Sequence, residues 1–331
     1  MKKRGNKLLA VCLRNTPVIL FAAVFVVFGI LAPRFFQYQN FENIVKQASY
    51  AGIIAVGMTF VLLTAGIDLS VGSNMYLSAV AAGLLIKNYN VPVWVALAVC
   101  LLVGLAFGMF NAFAITKLRI IPFVVTLSTL FAGRGLGLML TKSRPVPFPE
   151  TIIRIGSSRL FGVVPLPIVI FVCVVICAHV FLRRTQMGRQ IYAVGNDIEA
   201  AKKAGINTDR VRATAYIVCG LLASLGGFVS VAQLGIVNAG FGEGYEFEAI
   251  TAAVLGGTSL FGGIGNVFPG TVLGTVLIQM ISAGLVFTQV DLYIQPLVEG
   301  AIIFFAVLLD SFRNVQLVRI SRRHIRVEET A

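Results

Sequence analysis

Val93-Trp94-Val95-Ala96-Leu97-Ala98-Val99-Cys100-Leu101-Leu102-Val103-Gly104-Leu105-Ala106-Phe107-Gly108-Met109-Phe110-Asn111-Ala112-Phe113-Ala114-Ile115 runs through residues 93–115 without one formal charge. A helix rises about 1.5 Å per residue, so about 20 apolar residues match the hydrocarbon core of a bilayer. The run is continuously apolar, whereas a barrel strand would alternate with period two over about 10 residues. Similar runs at 17–32, 50–65 and 164–182 repeat the signal. Only helices and closed barrels satisfy every backbone polar group in lipid. The expected fold is therefore an all-α integral membrane protein.

Composition agrees. The chain has 331 residues, 57% of them hydrophobic and 12% charged, against the roughly 25% charged residues that coat an average soluble domain. Apolar patterning places ten spans, at about 16–33, 48–65, 71–87, 93–115, 121–141, 163–182, 213–235, 247–259, 267–286 and 294–310. The eighth is short and ends in glycines, so some helices are expected to be broken or re-entrant. Lys2, Lys3, Arg4 and Lys7 resemble the start of a signal peptide, but no small-residue cleavage site follows the run that ends at Ala32-Pro33-Arg34. A first span that stays is expected.

Charge tests the count independently. With the N-terminus inside, segments 1–15, 116–120, 183–212 and 311–331 are cytoplasmic and carry nineteen Lys and Arg. The outer segments carry seven, namely Arg34, Lys46, Lys87, Lys142, Arg144, Arg154 and Arg159, while Arg134 falls inside a span. That bias is what the positive-inside rule expects, and both termini inside requires an even number of spans. The net charge of +13 is thus a topology signal. A nucleic-acid-binding reading would need a soluble basic face, and the sequence offers none. The longest polar stretch, 183–212, is too short for a core of its own, so residues 1–331 read as one membrane domain with a basic cytoplasmic tail at 311–331.

Catalysis and metal binding find little support. His179 and His324 are the only histidines, and no nucleophile–base pair is visible. Cys173 and Cys177 stand four apart with no His or acid to complete a ligand set, and buried thiols acting as small hydrophobes are expected instead. No chain of Asp, Glu or His crosses the membrane, so proton coupling has little to work with. Among isolated intramembrane charges, Arg134 is expected to anchor on a partner carbonyl or an interface, and Glu299 to snorkel or pair.

Three segments carry the remaining chemistry. In 183–212, Asn196 or Asp197 is placed to cap a short helix over 198–204, with Gly205-Ile206-Asn207 as its exit. Such a helix would dock into a cleft of a soluble partner, although on physics alone a basic loop at the headgroups is the more economical reading. In Thr64-Ala65-Gly66-Ile67-Asp68-Leu69-Ser70-Val71-Gly72-Ser73, an acid and two glycines interrupt an apolar stretch. Asp68 or Ser70 can cap the helix that begins next, and the stretch is either a break beside a translocation path, with Asp68 pairing or capping there, or a tight turn at the cytoplasmic edge. In 251–270, Gly256, Gly257, Gly262, Gly263, Gly265 and Gly270 argue against a continuous helix. Irregular backbone at membrane depth is tolerated only where protein buries it or it lines a cavity, so a hinge beside a path is expected. A Gly-x4-Gly-Lys-Ser/Thr nucleotide loop does not occur in the chain, and any ATP would have to be bound by another polypeptide.

At these segments the sequence resembles the membrane permease subunits of bacterial ABC importers for ribose and related monosaccharides. The resemblance is carried, in order, by Gly66-Ile67-Asp68-Leu69-Ser70-Val71-Gly72, by Asn111 with Ile121-Pro122-Phe123-Val124-Val125-Thr126-Leu127 and Arg134-Gly135, by Gly188-Arg189 through Ala193-Val194-Gly195-Asn196, Ala200-Ala201 and Gly205-Ile206, and by Gly244-Tyr245-Glu246, Ala249-Ile250 and Gly256-Gly257-Thr258-Ser259-Leu260 with Gly262-Gly263. It extends from Phe35 to Asp310. Glu299 departs from the family pattern, in which that position is often basic.

The resemblance implies a non-catalytic transport subunit that pairs with a second permease, a copy or a paralogue, and with ABC ATPase subunits that bind ATP and Mg. It implies no cofactor on this chain, and sugar delivered by an extracytoplasmic binding protein facing 142–162 and 236–248, with polar contacts from Glu243, Glu246 and Glu248. The loop 183–212 then becomes the coupling segment, with Gly188, Arg189, Gly195, Asn196, Asp197, Glu199, Ala200, Ala201 and Gly205 as its residues. Asp68, Ser70, Asn74, Asn111, Phe123, Thr126, Thr251 and Thr258 are the candidate pathway residues, and Gly66, Gly72, Gly256, Gly257, Gly262 and Gly263 the candidate hinges. A passive channel or facilitator for small polar solutes, which also needs broken helices and few buried charges, stays open as an alternative.

Overall fold

A computed structural model of the chain describes residues 16–291 and, beyond them, 293, 294, 297, 298, 300, 301, 304, 305 and 308. Residues 1–15 with Cys12, most of the expected tenth span, Glu299 and the 311–331 tail lie outside the described residues.

The described chain is mainly helical, with four two-residue strands. Its elements are α1 (Thr16–Leu31), α2 (Tyr38–Leu63), α3 (Val71–Tyr89), α4 (Val93–Thr116), α5 (Pro122–Thr141), β1 (Val146–Pro147), α6 (Glu150–Ser157), β2 (Arg159–Leu160), β3 (Val164–Pro165), α7 (Leu166–Arg184), α8 (Gln186–Asn196), α9 (Ile198–Lys203), α10 (Thr208–Leu234), β4 (Ile236–Val237), α11 (Tyr245–Leu255) and α12 (Val272–Phe287). One π turn, Val267–Thr271, leads into α12. Among the described residues, α2, α4, α5, α7, α10 and the 267–287 stretch are long and apolar enough to cross a bilayer. α3 matches them in length with 19 residues, but Ser73, Asn74 and Ser78 on its buried face make it more polar.

Two expectations shift. α2 begins at Tyr38 instead of near 48, because its polar first turns are tied down. Asn40 Nδ2 donates to Phe35 O at 2.8 Å, and Glu42 pairs with Lys46 at 2.9 Å and with Arg159 at 2.6 Å. The expected eighth span is only the 11-residue α11, about 16 Å of helix, which reaches roughly halfway through a bilayer. The chain then turns back through the glycine-rich loop 256–266. α11 and that loop are a broken element, as the glycines lead one to expect.

α2 and α10 form the centre. Of their most apolar windows, 83% and 72% are buried, against 22–28% for α4, α5 and α7. On one side α3 and α4 pack on α10, with α5 against α3; on the other, α7, α11 and α12 pack on α2, and α1 covers α12. The α4–α10 seam depends on small residues: a Cβ at Gly220 would lie 2.5 Å from Gly104 O, and one at Gly108 2.7 Å from Tyr216 O. Without a hydrophobic force between helices in lipid, such close backbone approach supplies the attraction.

The bundle has two distinguishable ends. One holds the C-terminus of α2, the 117–121 connector, α8, α9 and the start of α10. At the other, β1 pairs antiparallel with β4 through Val146↔Val237 and Pro147↔Ile236, and Phe35 meets Phe287 edge-on at 6.4 Å. Tyr38, Tyr89 and the sole tryptophan, Trp94, are exposed at this second end, the position amphipathic rings take at a membrane surface. Cys100 and Cys219 are buried as expected, but Cys173 and Cys177 are exposed. The outer face of α7 is apolar without being covered, so thiols there do not need burial in protein.

Candidate functional site

The break between α2 and α3 is the centre of a buried polar network. Asp68, 1% exposed, accepts from Ser70 N at 2.9 Å and Ser70 Oγ at 2.6 Å, an Asx turn that satisfies backbone where helix stops. Asn111 Nδ2 on α4 donates to Ser70 Oγ at 2.8 Å, and Thr129 Oγ1 on α5 donates to Asn111 Oδ1 at 3.0 Å. Asn74 Nδ2 reaches Gly220 O on α10 at 2.9 Å, while Asn74 Oδ1 accepts from Ser78 Oγ at 2.9 Å. Thr126 Oγ1 lies 3.5 Å from Ile67 O, but its shorter bond, 3.0 Å, is to Pro122 O in its own helix. Five of the eight predicted pathway residues, Asp68, Ser70, Asn74, Asn111 and Thr126, thus converge from three helices and one loop. All five are buried. The stretch is a turn between α2 and α3, enclosed by side chains of α4, α5 and α10. Asp68 does not cap α3; Ser70 is the cap residue, and its side chain makes no cap bond.

The other three predicted pathway residues sit apart. Phe123 is on the outer face of α5, 51% exposed. Thr251 is buried in α11 and donates to Phe247 O at 2.7 Å. Thr258 is fully buried in the glycine-rich loop, and its Oγ1 has no hydrogen-bond partner.

The 183–212 segment contains two helices, of which only the second was expected. Thr185 Oγ1 caps α8 by accepting from Gly188 N at 3.0 Å. The buried face of α8 is Gly188, Ile191, Val194 and Gly195, a helical spacing interrupted by enough polar and glycine residues to hide it. Asp197, not Asn196, caps α9, accepting from Glu199 N and Ala200 N at 2.9 Å each. Asn207 Oδ1 then caps α10 through Arg210 N at 3.0 Å. From Asn196 to Gly205 every residue is exposed except Ala201. Arg189 is exposed as well. α9 is therefore a short, capped helix projecting from one end of the bundle.

The three segments singled out by their composition meet at one point. Gly263 N donates to Leu63 O at 3.0 Å, joining the glycine-rich loop to the end of α2. Gly195 packs against that same Leu63 carbonyl so closely that a Cβ there would overlap it. A Cβ at Gly262 would come within 2.6 Å of Gly195 O, and one at Gly263 within 2.9 Å of Asn196 Cα. Gly262 and Gly263 also have φ of +85° and +71°, a region L side chains rarely enter. Tyr192 OH donates to Gly265 O at 3.1 Å. Among the other hinge candidates, Gly66 lies beside the Tyr216 hydroxyl, Gly72 against the Gly242 carbonyl, Gly256 against that of Gly270, and Gly257 begins the loop. Leu63, Tyr192 and Thr129 were missed by the sequence reading. Nothing marks them apart from ordinary apolar or helical residues until the fold brings their partners alongside.

At the opposite end, β1–β4 pairing sets 142–162 beside 236–248. Arg134 Nη1 donates to Ala239 O at 3.1 Å and Phe241 O at 2.7 Å, and its guanidinium lies 4.8 Å from the Tyr76 ring centroid. It anchors the loop after β4 on carbonyls, as expected. Glu243 is exposed, but Glu246 is buried and Glu248 accepts from Gln279 Nε2 on α12. Only Glu243 of the three is open to a partner on this surface, because α11 turns the other two inward.

Broken helices around a buried polar junction, with an exposed capped helix at one end, define a polytopic membrane transport component. The family described as the permease component of the branched-chain amino acid transport system matches residues 40–307, and the chain belongs to it. It is 40% identical over 287 residues to the ribose import permease protein RbsC of Escherichia coli K12, covering 85% of this chain and 88% of that relative. It is 39% identical over 295 residues to RbsC of Bacillus subtilis, covering 88% and 90%. Against the autoinducer 2 import system permease protein LsrC of Yersinia enterocolitica it is 34% identical over 297 residues, covering 89% and 82%. The chain is thus a non-catalytic permease component of an importer, in a multi-pass membrane setting.

Proposed function

We propose that this chain forms the translocation pathway of an ATP-binding cassette importer for a ribose-like pentose or a hexose, in a bacterial cytoplasmic membrane. The observation that carries the reading is the junction of Leu63, Gly195 and Gly263, which couples an exposed helix to two breaks in the membrane helices. The relatives' names supply the sugar class: two import ribose and one imports autoinducer 2. α8 and α9 face the cytoplasm, and α9 seats in the ATPase subunit that binds ATP and Mg. The β1–β4 end faces outward, toward a sugar-binding protein. Both termini are cytoplasmic, ten passes are completed with α11 and the glycine-rich loop together making the eighth, and a second permease closes the pathway.

In this reading Asp68, Ser70, Asn74, Asn111 and Thr126 form the wall of the pathway around the break and become accessible when it opens. Phe123, exposed on α5, lines the path only where the second permease closes it, and Thr251 and Thr258 move with α11 and its loop. Glu199, Lys202 and Lys203 are exposed on α9, so replacing all three with Ala tests its docking without touching the core. Pull-down with the ATPase is expected to fall at least about tenfold, the effect of about 1.4 kcal/mol, and uptake with it. An intact complex and intact uptake would contradict the α9 assignment. A passive facilitator would move sugar without ATP or partner.

A further inference from the structure

The glycine-rich loop 256–266 has little side-chain packing of its own, and four of its glycines, 257, 262, 263 and 265, sit at positive φ. Its position is set by a few backbone struts. Internally, Ser259 N donates to Ile264 O at 2.8 Å and Gly262 N to Ser259 O at 3.3 Å. Externally, Gly263 N meets Leu63 O on α2 at 3.0 Å, and Gly265 O accepts from the Tyr192 hydroxyl on α8 at 3.1 Å. Tyr192 thus supplies the side-chain strut between loop and α8. Burial pushes the Tyr192 phenol up against the smaller opposite pull of Arg183, so the hydroxyl keeps its proton and remains a donor. Beside the accepting residue lies the unpartnered Thr258 Oγ1: a Cβ at Gly265 would be 2.6 Å from it. A buried hydroxyl without a partner loses hydrogen-bond energy in this arrangement, so Thr258 adds nothing to the loop's own bonds.

We propose that Tyr192 is a positioning residue that ties the glycine-rich loop to the segment bearing α9, so that displacement of α9 by a partner moves the loop. α8 is continuous with α9 through the Asn196-Asp197 corner, and its inner face rests on the end of α2. A rigid α8 therefore bears on its surroundings in two ways: through backbone packing of Gly195 and Asn196 on Leu63, Gly262 and Gly263, and through the Tyr192 hydroxyl on Gly265. The proposal rests on α9 being the docking helix for the ATPase.

The test uses the full chain assembled with its ATPase and binding protein in proteoliposomes, comparing Tyr192→Phe with the unsubstituted protein. Tyr192→Phe is expected to assemble and hydrolyse ATP at an unchanged rate. Sugar transported per ATP hydrolysed should fall about fivefold, and amide exchange across 256–266 should rise about fivefold, the scale of one neutral hydrogen bond. Unchanged exchange, whether or not transport falls, overturns the strut. Faster exchange with an unchanged sugar-to-ATP ratio makes Tyr192 merely structural and overturns the positioning role. Loss of assembly in Tyr192→Phe places the residue in the docking surface and overturns it too. Failure of the docking reading shows separately, as an intact, active complex when Glu199, Lys202 and Lys203 are replaced.

Discussion

Gly195 shows what a single residue decides. Its carbonyl and α-carbon lie against Leu63 and Gly262, so any side chain must push α8 away from α2. Gly195→Ala is expected to destabilise the purified chain by about 1–3 kcal/mol, the usual cost of overpacking, read as a lowered melting temperature; an unchanged melt would mean that α8 does not rest there. Asp68 makes a second case. Both bonds from Ser70 are accepted by Oδ1, an atom that Asn also offers. Asp68→Asn is therefore expected to keep the fold and most of the uptake, whereas Asp68→Leu takes the acceptor from the Ser70 amide and hydroxyl in the interior and costs about 1–3 kcal/mol. Equal losses in melting temperature for the two variants would show that charge, not the Asx turn, is what the site needs. The sequence marked both residues as unusual. It did not disclose their partners, because Asn111 reaches Ser70 across 41 positions, and Gly195 meets Leu63 only once α7 has carried the chain back.

At the scale of elements, the long helices were legible because lipid leaves apolar residues on every side of them. Boundaries were less so where polar turns continue a helix beyond the hydrocarbon. Tyr38–Gln47 extends α2 in that way, held by Asn40 and the Glu42 pairs. α8 was missed for the opposite reason: its apolar face is narrow, and two of its four buried residues are glycines. α9 was found from its cap and small-residue stripe, and its exposure from Asn196 to Gly205 fits a helix that meets a partner. The eighth span showed in sequence as short and glycine-ended, and it is short in structure. A pattern alone could not show that its loop returns to touch the end of α2.

For the whole molecule, the proposed orientation rests on charge. The α8–α9 end carries Arg183, Arg184, Arg189, Lys202, Lys203, Arg210 and Arg212 within one short segment, which the positive-inside rule places in the cytoplasm. A cysteine introduced at exposed Ala204 is expected to react with a membrane-impermeant maleimide only after the cells are permeabilised, and one at Phe161, 93% exposed at the opposite end, in intact spheroplasts. The reverse pattern would invert the topology. The class of importer was legible in order and spacing of motifs along nearly the whole chain. The particular sugar was not, because the polar groups around the break satisfy one another and leave no ligand-shaped set of donors.

The central claim is that this chain is a pathway whose motor and receptor are other polypeptides, and uptake in proteoliposomes tests it most directly. With the chain, its ATPase and a ribose-loaded binding protein, sugar should accumulate only when ATP is present, and omission of any one of them should abolish it. Uptake by the chain alone without ATP, or no uptake by the complete set with any pentose or hexose offered, would contradict the account.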